Sequence, residues 1–279
     1  MELGYDYTIH NTILEAKDIH VSYNGVEVLR DLDFKIHDIH RPNKTQGQVN
    51  AILSPSGMGK SVAFRCIAGL NKPTSGTVNI SMDGSGNMVP VKAGLVGVVA
   101  QDYPLFNHMT VWDNVMVAAR LKFDAKTSAE KTASLLERFG LIDRRMNYPH
   151  QISGGQRQRV AIIQQMVCSG HLLLMDEPFS GLDILVKDQV QNLILDVASQ
   201  NELNSIVITT HDIQSAIAIS DTILLLGRER DQAGNIIPGA KIRYTYNLME
   251  MGLAWHPNIS ELPAFSELEK EIKARFKEL

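Results

Sequence analysis

Residues 49–62 read VNAILSPSGMGKSV. Val49–Leu53 have the apolar character of a buried strand, SPSGMG is a glycine- and serine-rich turn, and Lys60 opens a segment with Val62, Phe64, Ile67 and Ala68 at helical spacing. Gly69-Leu70-Asn71-Lys72-Pro73 ends that helix, which is expected over Lys60–Leu70. A strand, a glycine-rich loop and a helix in this order can cradle phosphates, because successive backbone N–H groups and the helix N-terminus converge on the anion. Ser56, Gly57, Met58, Gly59, Lys60, Ser61 and Val62 would surround it. Gly57 and Gly59 allow close backbone approach, Lys60 reaches the β- and γ-phosphates, and the Ser61 hydroxyl ligates Mg²⁺. Ser54 stands where the pattern has its first glycine, so the strain in this loop is a question for the structure.

A phosphate loop of this kind needs an acidic partner for the metal. His171-Leu172-Leu173-Leu174-Met175-Asp176-Glu177-Pro178 supplies one. Four apolar residues make a buried strand that delivers Asp176 to its carboxyl end, where ligands of such sheets bind. Asp176 is expected near Mg²⁺, and Glu177 is placed to orient or activate an attacking water.

Outward from these two points the chain alternates. Leu14–Val21 and the Leu32, Phe34, Ile36 alternation read as strands around an Asn24-Gly25 hairpin turn. His37 to Gln46, with Pro42 and Asn43, reads as a polar surface loop. Its His37 and His40 could ligate a metal but read better as solvated histidines. Thr110-Val111-Trp112-Asp113 resembles a capping box, Thr127–Phe139 is an amphipathic helix stopped by Gly140, and a third helix starts at Ser153. Helix spacing recurs at Val186–Val197 and Ile213–Ile217, and strands at Ile206–Thr209 and Thr222–Leu226. The pattern predicts an α/β fold with a mainly parallel sheet and helices on both faces. After Gly227 the texture changes to a polar hairpin around Gly234-Asn235, spanning Arg228–Arg243, then a segment with Trp255, then a helix whose stripe is Phe265, Leu268, Ile272 and Phe276.

Composition narrows the classes. The 279 residues carry a formal net charge of −4, which offers no overall excess of positive charge for nucleic acid. Two cysteines, Cys66 and Cys168, are too few for a disulfide framework and read as structural thiols. Met1–Asp6 does not read as a secretory leader, and no apolar stretch reaches the ~20 residues of a membrane helix. The expectation is a chain soluble by itself, with docking onto a membrane partner left open.

Ile152-Ser153-Gly154-Gly155-Gln156-Arg157-Gln158-Arg159-Val160 decides among nucleotide-binding families. It closely resembles the signature of ATP-binding cassette (ABC) ATPases, with Ile152 for the usual leucine. Ser153 is a good N-cap, and Gly154 and Gly155 let a phosphate approach the helix N-terminus, with Gln156 completing the motif. Four further motifs resemble the family in order. Tyr23 matches the aromatic residue that stacks on adenine. Gln101 matches the glutamine that senses magnesium and the attacking water. Asp183, in Ser180-Gly181-Leu182-Asp183, matches the loop that crosses to a partner subunit, and His211 matches the histidine that contacts the γ-phosphate. Gln164-Gln165 stands where many relatives have Ala-Arg.

The resemblance covers about residues 12–227. It implies a P-loop ATPase core with a mainly parallel sheet, an antiparallel β subdomain and an inserted α-helical subdomain. Residues 12–100 and 167–227 would form the nucleotide-binding core, 101–166 the helical subdomain, and 228–279 a C-terminal appendage of one domain spanning 1–279. It implies ATP and Mg²⁺ as ligands, Lys60, Gln101, Glu177 and His211 as the catalytic set, and Ser61, Gln101 and Asp176 around the metal. It also implies a head-to-tail dimer or pairing with a homologous cassette, and an integral membrane permease with a substrate-binding protein acting through it. No nucleic acid is expected. The location implied is the cytoplasmic face of the inner (plasma) membrane. Asp102–Thr110 resembles importers of small solutes, such as amino acids or nitrate and sulfonates. The alternatives are a lipid-moving ABC transporter, or a soluble ABC ATPase acting on DNA or ribosomes. The latter usually carry long coiled coils or tandem cassettes, and this chain has neither.

Overall fold

The computed structural model describes residues 6–41, 47–168, 171–199 and 205–279. Pro42 and Asn43 of the expected polar loop lie outside the described residues. In chain order the elements are β1 (Thr8–Tyr23), β2 (Val26–His40), β3 (Gln48–Leu53), α1 (Lys60–Ile67), β4 (Ser75–Ser81), β5 (Met88–Pro90), β6 (Gly97–Val99), α2 (Val111–Ala119), α3 (Ala125–Arg138), α4 (Gly154–Cys168), β7 (Leu172–Asp176), α5 (Ile184–Ala198), β8 (Ser205–Thr210), α6 (Ile213–Ile219), β9 (Thr222–Arg230), β10 (Ile236–Asn247) and α7 (Pro263–Phe276).

The strands join one sheet in the order β5-β4-β1-β2-β10-β9-β3-β8-β7-β6. From β9 to β6 every neighbour is parallel, while β1, β2, β4 and β5 pair antiparallel. Strand β10 runs antiparallel to β9 and meets β2 at Ala240 and Leu29. The helices α2, α3 and α4 are inserted between β6 and β7, so the sheet classes and the helical insertion agree with the sequence reading.

Side-chain alternation on the central strands makes two cores. Val49, Ala51, Leu53, Ile206, Ile208, Ile223 and Leu225 face the larger one, shared with α2–α7. Ile52, Val207, Leu224 and Leu226 face the other way, onto Phe64 and Ile67 of α1 and onto Leu14, Ile19 and Leu29 of the antiparallel strands. Helix α1 therefore lies between β2 on one side and β7 and β8 on the other, and the sheet curls over it.

Three boundaries differ from the sequence reading. His37–His40 is not loop but the end of β2. Residues three apart on a strand point to opposite faces, which separates His37 from His40 as metal ligands. Helix α1 stops at Ile67, with Ala68 as its C-cap, rather than running to Leu70. The polar hairpin after Gly227 is continuous with the sheet: β9 runs on to Arg230, and β10 fills the position between β9 and β2. The expected hairpin around Gly234-Asn235 is present, with β10 antiparallel to β9. Both cysteines are free thiols; burial pushes that of Cys66 up to about 11. No helix of the described residues is long and apolar enough to cross a membrane.

The end of β2, the start of β3, the start of β9 and the C-terminal segment are tied by one buried carboxylate. Asp221 is fully buried and Arg41 is 5% exposed; they form an ion pair. The Asp221 carboxylate also accepts from the Val49 N–H at 2.8 Å and from the Trp255 indole. The Arg41 guanidinium lies 3.2 Å from the Trp255 ring centroid. Desolvation pushes the Asp221 carboxyl up to about 6, against the pull of Arg41. Removing the cation leaves a buried charge without compensation. Arg41→Met is therefore expected to cost about 3–5 kcal/mol, and Trp255→Phe, which removes one donor, about 1–2 kcal/mol. Urea unfolding measures both, and an unchanged midpoint for Arg41→Met would contradict this role.

Candidate functional site

The site lies where β3, β7 and β8 end together. In the parallel register Leu53 pairs with Thr210 and Asp176 with Thr209, so the segments after these strands share one edge of the sheet.

Strand β3 passes into the phosphate-type loop through Ser54. This residue is fully buried, its N–H donates to the Thr210 carbonyl at 3.2 Å, and its hydroxyl donates to the Pro55 carbonyl at 3.1 Å. Its φ lies outside the left-handed region, so the serine imposes none of the strain that only a glycine would relieve. Gly57 and Gly59 do need to be glycine, with φ of 81° and 84°. A Cβ on Gly59 would also lie 3.1 Å from Val28 Cγ1 and 3.3 Å from the Val28 carbonyl oxygen. Gly59 caps α1 without a side-chain hydrogen bond; the Val62 N–H donates to the Gly59 carbonyl at 3.0 Å, which leaves the N–H groups of Lys60 and Ser61 for whatever the loop encloses.

Lys60 is buried, and its ammonium donates to the carbonyls of Ser54 (3.0 Å) and Pro55 (3.2 Å). It also stands 3.3 Å from Glu177 Oε1. The other oxygen, Glu177 Oε2, is 2.8 Å from His211 Nδ1 and accepts from the His211 N–H at 3.4 Å. The fold thus brings Lys60, Glu177 and His211 together around one carboxylate. Glu177 adopts a φ of 49°, a conformation that costs a non-glycine residue about 1–2 kcal/mol. Its N–H bond of 2.8 Å to the Thr209 carbonyl holds it there.

Asp176 ends β7 and accepts from the Thr209 hydroxyl. Ser61 is exposed on the first turn of α1, and Gln101 is exposed just after β6, with its Nε2 donating to the Ser180 hydroxyl at 3.3 Å. A hydroxyl, a carboxylate and an amide carbonyl are hard oxygen donors, the set that suits Mg²⁺. Met58 and Val62 are half-buried and Ser56 exposed along the loop. Tyr23 ends β1, is 48% exposed as a residue, and its hydroxyl accepts from the Asn71 amide at 3.0 Å.

The remaining expected residues lie elsewhere in the chain. Ser153 caps α4 reciprocally with Gln156: the Gln156 N–H donates to Ser153 Oγ at 3.3 Å, and the Ser153 N–H donates to Gln156 Oε1 at 2.9 Å. Gln156 is therefore a capping residue, legible in the Ser-x-x-Gln spacing but missed. A Cβ on Gly155 would meet nothing within 4 Å, and one on Gly154 only the tip of Arg157 at 3.9 Å. Nothing among the described residues requires these glycines to be bare. Among the described residues, no hydrogen bond or ion pair joins Ser153–Gln156 to the loop at Ser54–Ser61. Asp183 caps α5, accepting from the Val186 N–H at 3.0 Å, and next to it Ile184 and Leu185 are 78% and 74% exposed.

Tyr103 was also missed. Its hydroxyl donates to the Pro178 carbonyl at 3.2 Å and accepts from Gln158 Nε2 at 2.8 Å, which ties the loop after Gln101 to the turn carrying Glu177 and to α4. Burial pushes this hydroxyl up to about 12. No local spacing announces such a contact.

A family model described as ABC transporter matches residues 42–180. This chain belongs to the ABC transporter family. It is 33% identical over 223 residues to a sulfate/thiosulfate import ATP-binding protein of Pectobacterium atrosepticum, covering 77% of this chain and 64% of that one. It is 35% identical over 221 residues to a spermidine/putrescine import ATP-binding protein of Fusobacterium nucleatum, covering 76% and 56%. The chain therefore spans less than two thirds of the length of these curated relatives. Its fold is that of cbiO1 from Clostridium perfringens, a protein described as part of the ABC transporter complex cbiONQ, with a TM-score of 0.72 at 23% identity over 96% of this chain and 97% of that one. An ATP-binding cassette solved as a dimer after hydrolysis, with ADP and Pi, matches with a TM-score of 0.64 at 22% identity, over 85% and 99%. The geometry of Ser54 sets this member of the ABC family apart only mildly. Ser54→Gly is expected to change nucleotide affinity less than about twofold, because only one local hydrogen bond is lost. A loss of tenfold or more in a nucleotide titration would give the serine a further role.

Proposed function

We propose that this chain is the ATP-binding and ATP-hydrolysing subunit of an ABC importer, powering uptake of a small solute through a separate membrane permease. The observation that carries the reading is the Glu177 carboxylate held between Lys60 and His211 beside a glycine loop. The named relatives serve import of sulfate or thiosulfate in one case and spermidine or putrescine in the other. That supports import over lipid movement or a role on DNA or ribosomes. Solutes of opposite charge among these relatives also point to a permease, not this chain, as the source of specificity. An amino acid or nitrate or sulfonate falls within the same small-solute class.

In this reading the loop N–H groups and Lys60 bind the triphosphate and stabilise the charge that develops on the transferred phosphoryl group. Magnesium, when bound, neutralises phosphate charge, and Ser61, Asp176 and Gln101 are the residues that would hold it. Glu177 accepts the proton of the attacking water, and its bond to His211 fixes the orientation of both side chains. The exposed Tyr23 offers its ring to the base. The bare Gly154-Gly155 turn is completed by a second cassette, whose own signature turn would face this loop. The exposed Ile184 and Leu185 beside Asp183 suit that dimer contact. The permease would sit on the helical insertion, where Phe106, Leu121 and Met146 are 45%, 77% and 67% exposed. That arrangement holds the subunit at the cytoplasmic face of the membrane.

Glu177→Gln is expected to keep ATP binding and lower turnover by about 10²–10⁴-fold, leaving an ATP-stabilised dimer visible by size-exclusion chromatography. Near-normal steady-state hydrolysis would refute the role of Glu177. Lys60→Ala should lose nucleotide affinity by about tenfold or more, because a charge-assisted contact is removed; an unchanged ATP titration would count against it.

A further inference from the structure

Strand β9 runs parallel to β3 with Leu53 opposite Leu225, so the residues that follow, Leu226 to Arg228, run along the flank of the phosphate-type loop. Arg228 turns its guanidinium onto that loop, and Nη2 donates to the Gly57 carbonyl at 3.2 Å. The Gly57–Met58 peptide is trans, as are all peptides of the described residues. Fixing its carbonyl towards Arg228 therefore fixes the Met58 N–H in the opposite direction, away from Arg228.

The charge of Arg228 also stands out from its neighbours. Arg30, Lys241 and Arg243 all pair with Glu229. No carboxylate of the described residues lies within ion-pair distance of Arg228, and its Nε is buried with no partner. An unpaired guanidinium beside a phosphate cradle adds positive potential where the anion binds.

Arg228 is itself held from the C-terminal side. Gly227 is buried, and a Cβ there would lie 2.2 Å from Leu279 Cδ2 and 2.7 Å from its Cγ. The Leu279 side chain, 5% exposed, thus rests directly on the backbone that carries Arg228. Leu279 follows α7, which is anchored in the larger core by Phe265, Leu268 and Ile272. Helix α7 also meets α6, the helix after His211, where Gln214 donates to Glu269 at 2.9 Å.

From these contacts we infer that Arg228 is a positioning residue for the phosphate loop, and that Leu279 acts through it to set affinity for the triphosphate. The inference rests on the ATPase reading above. It gives the C-terminal helix a second task besides packing: bracing the loop through Gly227 and Arg228 on one side and the His211 segment through α6 on the other.

The test is steady-state hydrolysis and equilibrium titration with MgATP for wild type, Arg228→Gln, Arg228→Lys, Leu279→Ala and the Arg228→Gln/Leu279→Ala double variant. Thermal unfolding is recorded for each. Loss of one charge-assisted hydrogen bond should raise KM and Kd about tenfold in Arg228→Gln, with kcat within about twofold. Arg228→Lys should recover most of that affinity. Leu279→Ala should shift KM the same way, and the double variant should match Arg228→Gln alone, since both act through one contact. An Arg228→Gln KM within twofold of wild type, a kcat loss at unchanged KM, no recovery with lysine, or additive effects in the double variant would each overturn the inference. A wild type that fails to bind MgATP would instead overturn the ATPase reading on which it rests.

Discussion

The site depends on the parallel pairing of β3, β8 and β7. Because Leu53 lies opposite Thr210 and Thr209 opposite Asp176, three chain segments leave the sheet at one edge. They carry Lys60, His211 and Glu177 respectively. A register slip of one residue on any of these strands would exchange buried for exposed faces and move its functional side chain away. The apolar alternation that fills the two cores is therefore the same property that aligns these three side chains. The Glu177 carboxylate then locks the alignment, since Lys60 and His211 both reach it.

The local parts of this site were legible in the sequence, and the reason is physical. A phosphate loop needs glycine at particular backbone angles, and Gly57 and Gly59 adopt them. A strand that ends in Asp176-Glu177 announces itself by four apolar residues. The hairpin at Asn24-Gly25 and the cap at Thr110, whose hydroxyl accepts from the Asp113 N–H, are equally short-range. What escaped is long-range. Arg228 and Gly57 are 171 residues apart, Gln158 and Tyr103 are 55 apart, and nothing near either residue marks the pairing. The hairpin around Gly234-Asn235 is as expected, with β10 antiparallel to β9; that β10 also sits beside β2 is again a long-range pairing.

Two motif residues turn out to carry structural duties as well. Gln156 closes the capping box of α4, and Asp183 caps α5. Both are therefore held in fixed orientations before any partner arrives, which lowers the ordering cost of association. The same applies to the Tyr103 hydroxyl, which links the signature helix to the turn carrying Glu177. Movement of the helical insertion would be felt at that turn through Gln158 and Pro178, without a direct contact between the signature and the loop of the same chain.

The proposed composite site, one chain's phosphate loop facing another chain's signature turn, is tested most directly by cross-linking. One tagged chain carries Ser56→Cys and a second carries Ser153→Cys, both with Glu177→Gln, and a short bifunctional thiol reagent is added with and without MgATP. The account predicts a covalent heterodimer that forms with MgATP and is absent without it. Equal yields with and without nucleotide, or no cross-link in either case, would contradict it.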